Sequence, residues 1–102
     1  MAQLYDISTA AEADLRHIMR YTLNNFGLRQ VQKYTKSILL CLDNLATGIQ
    51  PYKEIDVKGH PVLIKRCQKH YIFALKEPKR LLVIAIFHEQ MDLMKRLKDR
   101  LG

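Results

Sequence analysis

Apolar positions in the first half of the chain recur at helical spacing. Ala11, Leu15, Ile18, Met19, Thr22 and Phe26 fall on one side of a helix, with Arg16, Arg20 and Asn24 on the other. Thr9 and Glu12 have capping-box spacing and predict its start, and Gly27 is placed to end it as a left-handed residue. A second stripe follows at once through Val31, Tyr34, Thr35, Ile38, Leu42 and Leu45, with Gly48 as its stop. So short a connector makes the two helices antiparallel neighbours. Leu39, Leu40 and Cys41 widen the second stripe and predict burial on more than one side.

The period then changes. Pro51, Gly59 and Pro61 punctuate a polar connector over residues 52–58, after which 62–67, 70–75 and 81–87 read as strands. Their separators are short enough for hairpin turns, which gives a three-stranded meander. Residues 3–7 are a further short strand candidate ahead of the first helix. The segment 81–87 is apolar at nearly every position, so that strand is buried on both faces and lies inside the sheet. One sheet face can take the helical hairpin. The other needs a C-terminal helix with the stripe Met94, Leu97 and Leu101, or a partner protein. The expected architecture is α+β: an N-terminal strand, a helical hairpin on a mainly antiparallel sheet of about four strands, and a short last helix.

Length and composition fit this picture as one domain over residues 1–102, with 48% hydrophobic and 26% charged residues. No apolar run approaches the roughly 18–20 residues needed to span a bilayer, and the N-terminus lacks the basic and apolar regions of a signal peptide, so a cytoplasmic location is expected. Cys41 and Cys67 have neither CxxC spacing nor a histidine partner pattern and are expected to be reduced packing residues.

Charge changes the picture more. Residues 1–57 hold six Lys or Arg and six Asp or Glu, whereas residues 58–102 hold eleven against four, so the whole net charge of +7 sits in the C-terminal half. Such an excess suits a nucleic acid, a nucleic-acid-bound machine, or an acidic protein.

Catalytic patterns are sparse. No GxSxG, HExxH, CxxC or glycine-rich phosphate loop occurs, and no cofactor or metal is expected. His88 and Glu89, with Arg66 and Glu54, could form an acid/base set for RNA cleavage, with Lys65 and Arg66 on the phosphate. Adjacent strand residues point to opposite faces, however, which separates His88 from Glu89 if the strand continues through them. The simpler expectation is that His88 ends the strand and that Glu89 or Asp92 places negative charge at the start of the last helix. One of Lys65 and Arg66 must share the face of Val62 and Ile64 and find an anion or water there. Lys95, Arg96, Lys98 and Arg100 form a basic cluster suited to phosphates or to an acidic surface.

The segments AEADLRHIMRYT, VQKYTKSI, PYKEI, RCQKHYIFAL and LVIAIFHEQMDLMKRL, in this order, resemble the ParE branch of the ParE/RelE toxin superfamily over nearly the whole chain. The last two segments are the specific ones. The resemblance implies a cytoplasmic toxin of a type II toxin-antitoxin module that is not an enzyme. Such a toxin poisons DNA gyrase, supports plasmid stability or a stress response, and is neutralised by a ParD-like antitoxin in a hetero-oligomer. No sequence-specific nucleic-acid binding by the toxin itself is expected. Carried onto this sequence, the gyrase-binding candidates are His88, Glu89, Met91, Asp92, Met94, Lys95, Arg96, Leu97, Lys98 and Arg100. The antitoxin-binding candidates are Leu15, Ile18, Met19, Tyr34, Ile38, Arg66, Tyr71 and Phe73, with Arg66 as a carboxylate anchor. The alternative is a RelE-like ribosome-dependent mRNA endoribonuclease, for which a C-terminal tyrosine is missing because none follows Tyr71.

Overall fold

A computed structural model describes residues 4–102. The elements run β1 (Tyr5–Ile7), α1 (Thr9–Phe26), α2 (Leu28–Ala46), β2 (Lys53–Val57), β3 (His60–Cys67), β4 (His70–Lys76), β5 (Leu81–His88) and α3 (Leu93–Leu101). They build a helical hairpin, a five-stranded sheet in the order β1-β5-β4-β3-β2, and a last helix. β1 runs parallel to β5, and every other pair is antiparallel.

Local chemistry explains where the elements begin and end. The cap of α1 is Ser8, one residue before the expected Thr9: its hydroxyl accepts the Ala11 N–H at 3.1 Å, so Ala11 and not Glu12 holds the third helical position. Gly27 has φ 88° and ψ 174°, a region open essentially to glycine alone and different from the left-handed helical cap. In that conformation it closes one helix and opens the next, its N–H donating to the Leu23 carbonyl and its own carbonyl accepting from Val31. The polar connector contains a strand. Ile55 and Val57 of β2 turn inward while Lys53, Glu54 and Asp56 face water, as befits an outer strand. Lys58 and Gly59 then take φ 54° and 81°, the paired positive values of a tight two-residue hairpin turn. Of the 3–7 strand candidate, Gln3 lies outside the described residues.

The sheet separates two apolar layers. Ile18, Ile38, Leu42 and Leu45 of the hairpin pack on Leu63, Ile72, Val83 and Ile86. On the opposite face Val62, Phe73, Ala85 and Phe87 meet Leu97 of α3, which is 0% exposed, so the last helix provides the expected cover. Leu39 and Leu40 are exposed, and α2 is therefore buried along a single stripe. Cys41 and Cys67 are joined in a disulfide that ties α2 to β3, a correction to the expectation of free thiols. Their Cα atoms stand 6.1 Å apart, within the ordinary span of such a link. Helix packing on the sheet brings them together across 26 positions of sequence.

β5 is flanked by β1 only along Leu81–Val83, and beyond that its outer edge would be open. Two side chains close it. The Asp14 carboxylate accepts the Ile86 N–H at 3.0 Å, and the Arg100 guanidinium donates to the Ile84 carbonyl at 2.9 Å. The same two side chains hold each other in a two-pronged pair at 2.9 and 3.2 Å. A strand's hydrogen-bonding role is thus filled by one residue from α1 and one from α3.

Candidate functional site: the end of the sheet and the last helix

α3 is built as a presented surface. Asp92 caps it, its carboxylate accepting the Lys95 N–H at 3.2 Å, as its position at the helix start suggested. Leu97 is buried, Leu93 and Leu101 are half-buried, and Arg100 is bound to Asp14. That leaves Met91, Met94, Lys95, Arg96 and Lys98 on the solvent side. Among the described residues no carboxylate pairs with the three cations. Of the gyrase-binding candidates, Leu97 is therefore core and Arg100 a structural anchor, whereas the other exposed positions are free to meet a partner.

The strand end divides its polar groups by face. His88 does end β5, and it shares the hairpin face with its cross-strand neighbour His70. The two imidazoles meet edge to face with centroids 5.1 Å apart, and His70 meets Tyr34 of α2 in the same way at 5.5 Å. The Tyr34 hydroxyl is hydrogen-bonded to His70 Nδ1. Burial lowers the His70 pKa to about 4, the nearby His88 adding to the effect and Glu89 opposing it. Burial also raises the Tyr34 phenol, so at neutral pH a protonated hydroxyl and a neutral ring share this hydrogen bond.

This arrangement predicts an acid sensitivity. Since His70 titrates near 6.5 when unfolded and near 4 when folded, the unfolded chain binds the extra proton between these values. Stability is therefore full above about pH 6.5, declines as the pH falls towards 4, and loses about 2 kcal/mol after discounting for a half-buried ring. Urea unfolding of the wild type and of His70→Gln at neutral and acid pH checks this. The variant's decline is expected to be shallower over that window.

On the opposite face stands Arg66. It shares the side of Val62 and Ile64, as one of the two cations had to, and its anion is the chain's own Glu89 at 2.6 Å. The guanidinium lies 5.6 Å from the Tyr71 ring centre. Lys65 points into the hairpin face, where its ammonium donates to the Pro51 carbonyl at 3.1 Å. Glu54 is paired with Lys76 at 3.5 Å on the outer strand. The acid/base set of Glu54, Arg66 and His88 is thus not assembled: Arg66 and His88 occupy opposite faces, and Glu54 is bound elsewhere.

The antitoxin-binding candidates divide similarly. Ile18, Ile38 and Phe73 lie in the core, where little of their surface is left to a partner, because the sheet covers the helical stripe to which the first two belong. Leu15, Met19, Tyr34 and Tyr71 are half-buried, and Arg66 is exposed. The hairpin's outer surface was the missed feature. Tyr21, Leu23, Phe26, Leu28, Leu39 and Leu40 are exposed, with Phe26 and Leu28 at 65% and 62%. Residues 15–42 contain five Lys or Arg and no carboxylate, a signal legible in the sequence.

These observations define a class of protein first: a small α+β scaffold with a cationic last helix on one side and, on the other, a helical hairpin whose stretch 15–42 exposes apolar side chains and holds no carboxylate. A family model described as the ParE toxin of the type II toxin-antitoxin system parDE matches residues 5–93. A curated Toxin ParE of Escherichia coli is 42% identical over 98 residues, covering 95% of each chain. A solved structure titled as a chromosomal ParDE toxin-antitoxin system from P. aeruginosa superposes with a TM-score of 0.69 at 16% identity, over 82% of this chain and 92% of that one, a likeness of fold. The chain belongs to the ParE toxin family of type II toxin-antitoxin systems.

Proposed function

We propose that this toxin arrests growth by binding DNA gyrase and trapping its cleaved-DNA intermediate, and that it acts by occupying a surface and not by chemistry of its own. The observation that carries the reading is the solvent side of α3, where Met91, Met94, Lys95, Arg96 and Lys98 stand clear of internal partners on a helix capped at its start by Asp92 and tied near its end to Asp14. Exposed methionines beside unpaired cations suit an acidic protein surface with apolar hollows. A ParD-like antitoxin in the cytoplasm neutralises the toxin. The carboxylate-free stretch 15–42 of the hairpin, with its exposed Tyr21, Phe26 and Leu28, is the face that an acidic amphipathic antitoxin segment fits best. Plasmid stability or a stress response is the resulting role.

The mRNA-cleaving alternative needs an acid, a base and a phosphate holder on one face, and Glu54, His88 and Arg66 lie apart. Two assays on the purified chain decide. With gyrase and supercoiled plasmid, linear DNA is expected to accumulate, and Lys95→Glu with Lys98→Glu is expected to lower the yield at least about tenfold by reversing both charges. In a translation extract the message is expected to stay intact. Cleavage of the message with turnover, lost on replacing His88 by alanine, would overturn the proposal.

A further inference from the structure

Arg66, Tyr71 and Phe87 are successive cross-strand neighbours on the α3 side of the sheet, a row about 10 Å long at the usual strand spacing. A guanidinium lies over each ring, Arg66 at 5.6 Å from Tyr71 and Arg100 at 5.0 Å from Phe87. Beyond Phe87 the row opens into a cleft of about 220 Å³ lined also by Arg96, Asp99 and Arg100. Lys69 stands exposed in the turn beside Arg66. The donors of Arg100 are directed to Asp14 and Ile84 in a part-buried site, whereas those of Arg66 reach Gln68, Tyr71 and Glu89 at the surface, so the cations a ligand can reach are Lys69, Arg96 and, by displacing Glu89, Arg66. Phe87 is 3% exposed and offers no free face, so the flat group open to an unpaired base is the Arg66 guanidinium, with phosphates following the surrounding charges.

We infer that this end of the sheet binds a single-stranded nucleic-acid segment without sequence preference, its phosphates on Arg66, Lys69 and Arg96 and a base against the Arg66 plane that Tyr71 backs. Glu89 occupies Arg66 in the unbound protein. An exposed ion pair of this kind adds little to stability, so a phosphate displaces the carboxylate readily. A duplex buries its base faces and gains nothing from the stacking surface, which is why the unpaired strand is favoured. The inference stands apart from the gyrase reading, and its test contains no gyrase.

Fluorescence anisotropy of a labelled oligothymidylate with the full chain, titrated from low to physiological salt, tests it. Three phosphate contacts give a slope of about −2 in log affinity against log salt, and Arg66→Ala with Arg96→Ala is expected to flatten it to about −0.7 while weakening binding at least tenfold. Glu89→Gln is expected to tighten binding severalfold, because it removes the competing anion. Lys33→Ala with Lys36→Ala, an equal loss of charge on α2, is expected to leave the slope unchanged. Thermal melting of each variant establishes that it is folded. The inference is overturned if the hairpin variant loses as much as the Arg66 and Arg96 variant, if Glu89→Gln fails to tighten binding, if a duplex of equal length binds more tightly, or if polyglutamate competes as well as unlabelled strand.

Discussion

Replacing Asp14 with alanine is expected to destabilise the protein by about 3 kcal/mol, near the lower limit for breaking a buried ion pair because both side chains keep some contact with water. Three losses coincide. The Ile86 N–H loses its acceptor, the Arg100 guanidinium loses both prongs of its partner, and the outer half of β5 is left without an edge. For a domain of this size the melting temperature should fall by roughly 15 °C. Asp14→Asn can still accept the Ile86 N–H and should fall in between. A double-mutant cycle with Arg100→Met, read from urea midpoints, separates the pair from the backbone bonds: removing both charges should cost less than removing Asp14 alone. Additive losses would show that the two residues act independently. Growth arrest is expected to weaken with the Asp14 variant if α3 meets the target as proposed, because that helix loses its tie to α1.

Phe73→Ala is expected to cost about 4 kcal/mol. Phe73 is 1% exposed, the largest of the fully buried side chains, and its ring sits 5.5 Å from that of Phe87 in the layer beneath α3. Truncation leaves a cavity that the strands, fixed by their ladders, cannot close. Any loss of antitoxin binding in this variant would then reflect unfolding of the sheet and not a missing contact. Thermal melting together with binding distinguishes the two: binding measured well below the variant's melting temperature should approach that of the wild type. A variant that melts like the wild type would mean that Phe73 is not packed as described.

The pattern of apolar residues was a good guide wherever one face of an element decides its burial. α1, α2 and the three long strands follow directly from it, and so does α3 as the cover of the second face. β2 was harder to see because an outer strand with Lys53, Glu54 and Asp56 facing water reads as a connector, although Ile55 and Val57 carry the period of two. The contacts that position the site lie furthest from local reading. Arg66 meets Glu89 across 23 positions, and Asp14 meets Arg100 across 86. Charged residues at such separations carry no periodicity, and only the folded sheet brings them together. Ile18, Ile38 and Phe73 are buried for the converse reason, since periodicity marks what is covered and gives no mark to what covers it.

The parallel pairing of β1 with β5 sets an order on the making of this toxin. The first strand emerges from the ribosome early, yet its neighbour lies beyond the hairpin and three further strands, and Asp14 waits for Arg100. Contacts this distant in sequence form late. A nascent chain that has not yet reached Arg100 is therefore expected to lack both the closed outer edge of β5 and the anchor of the last helix.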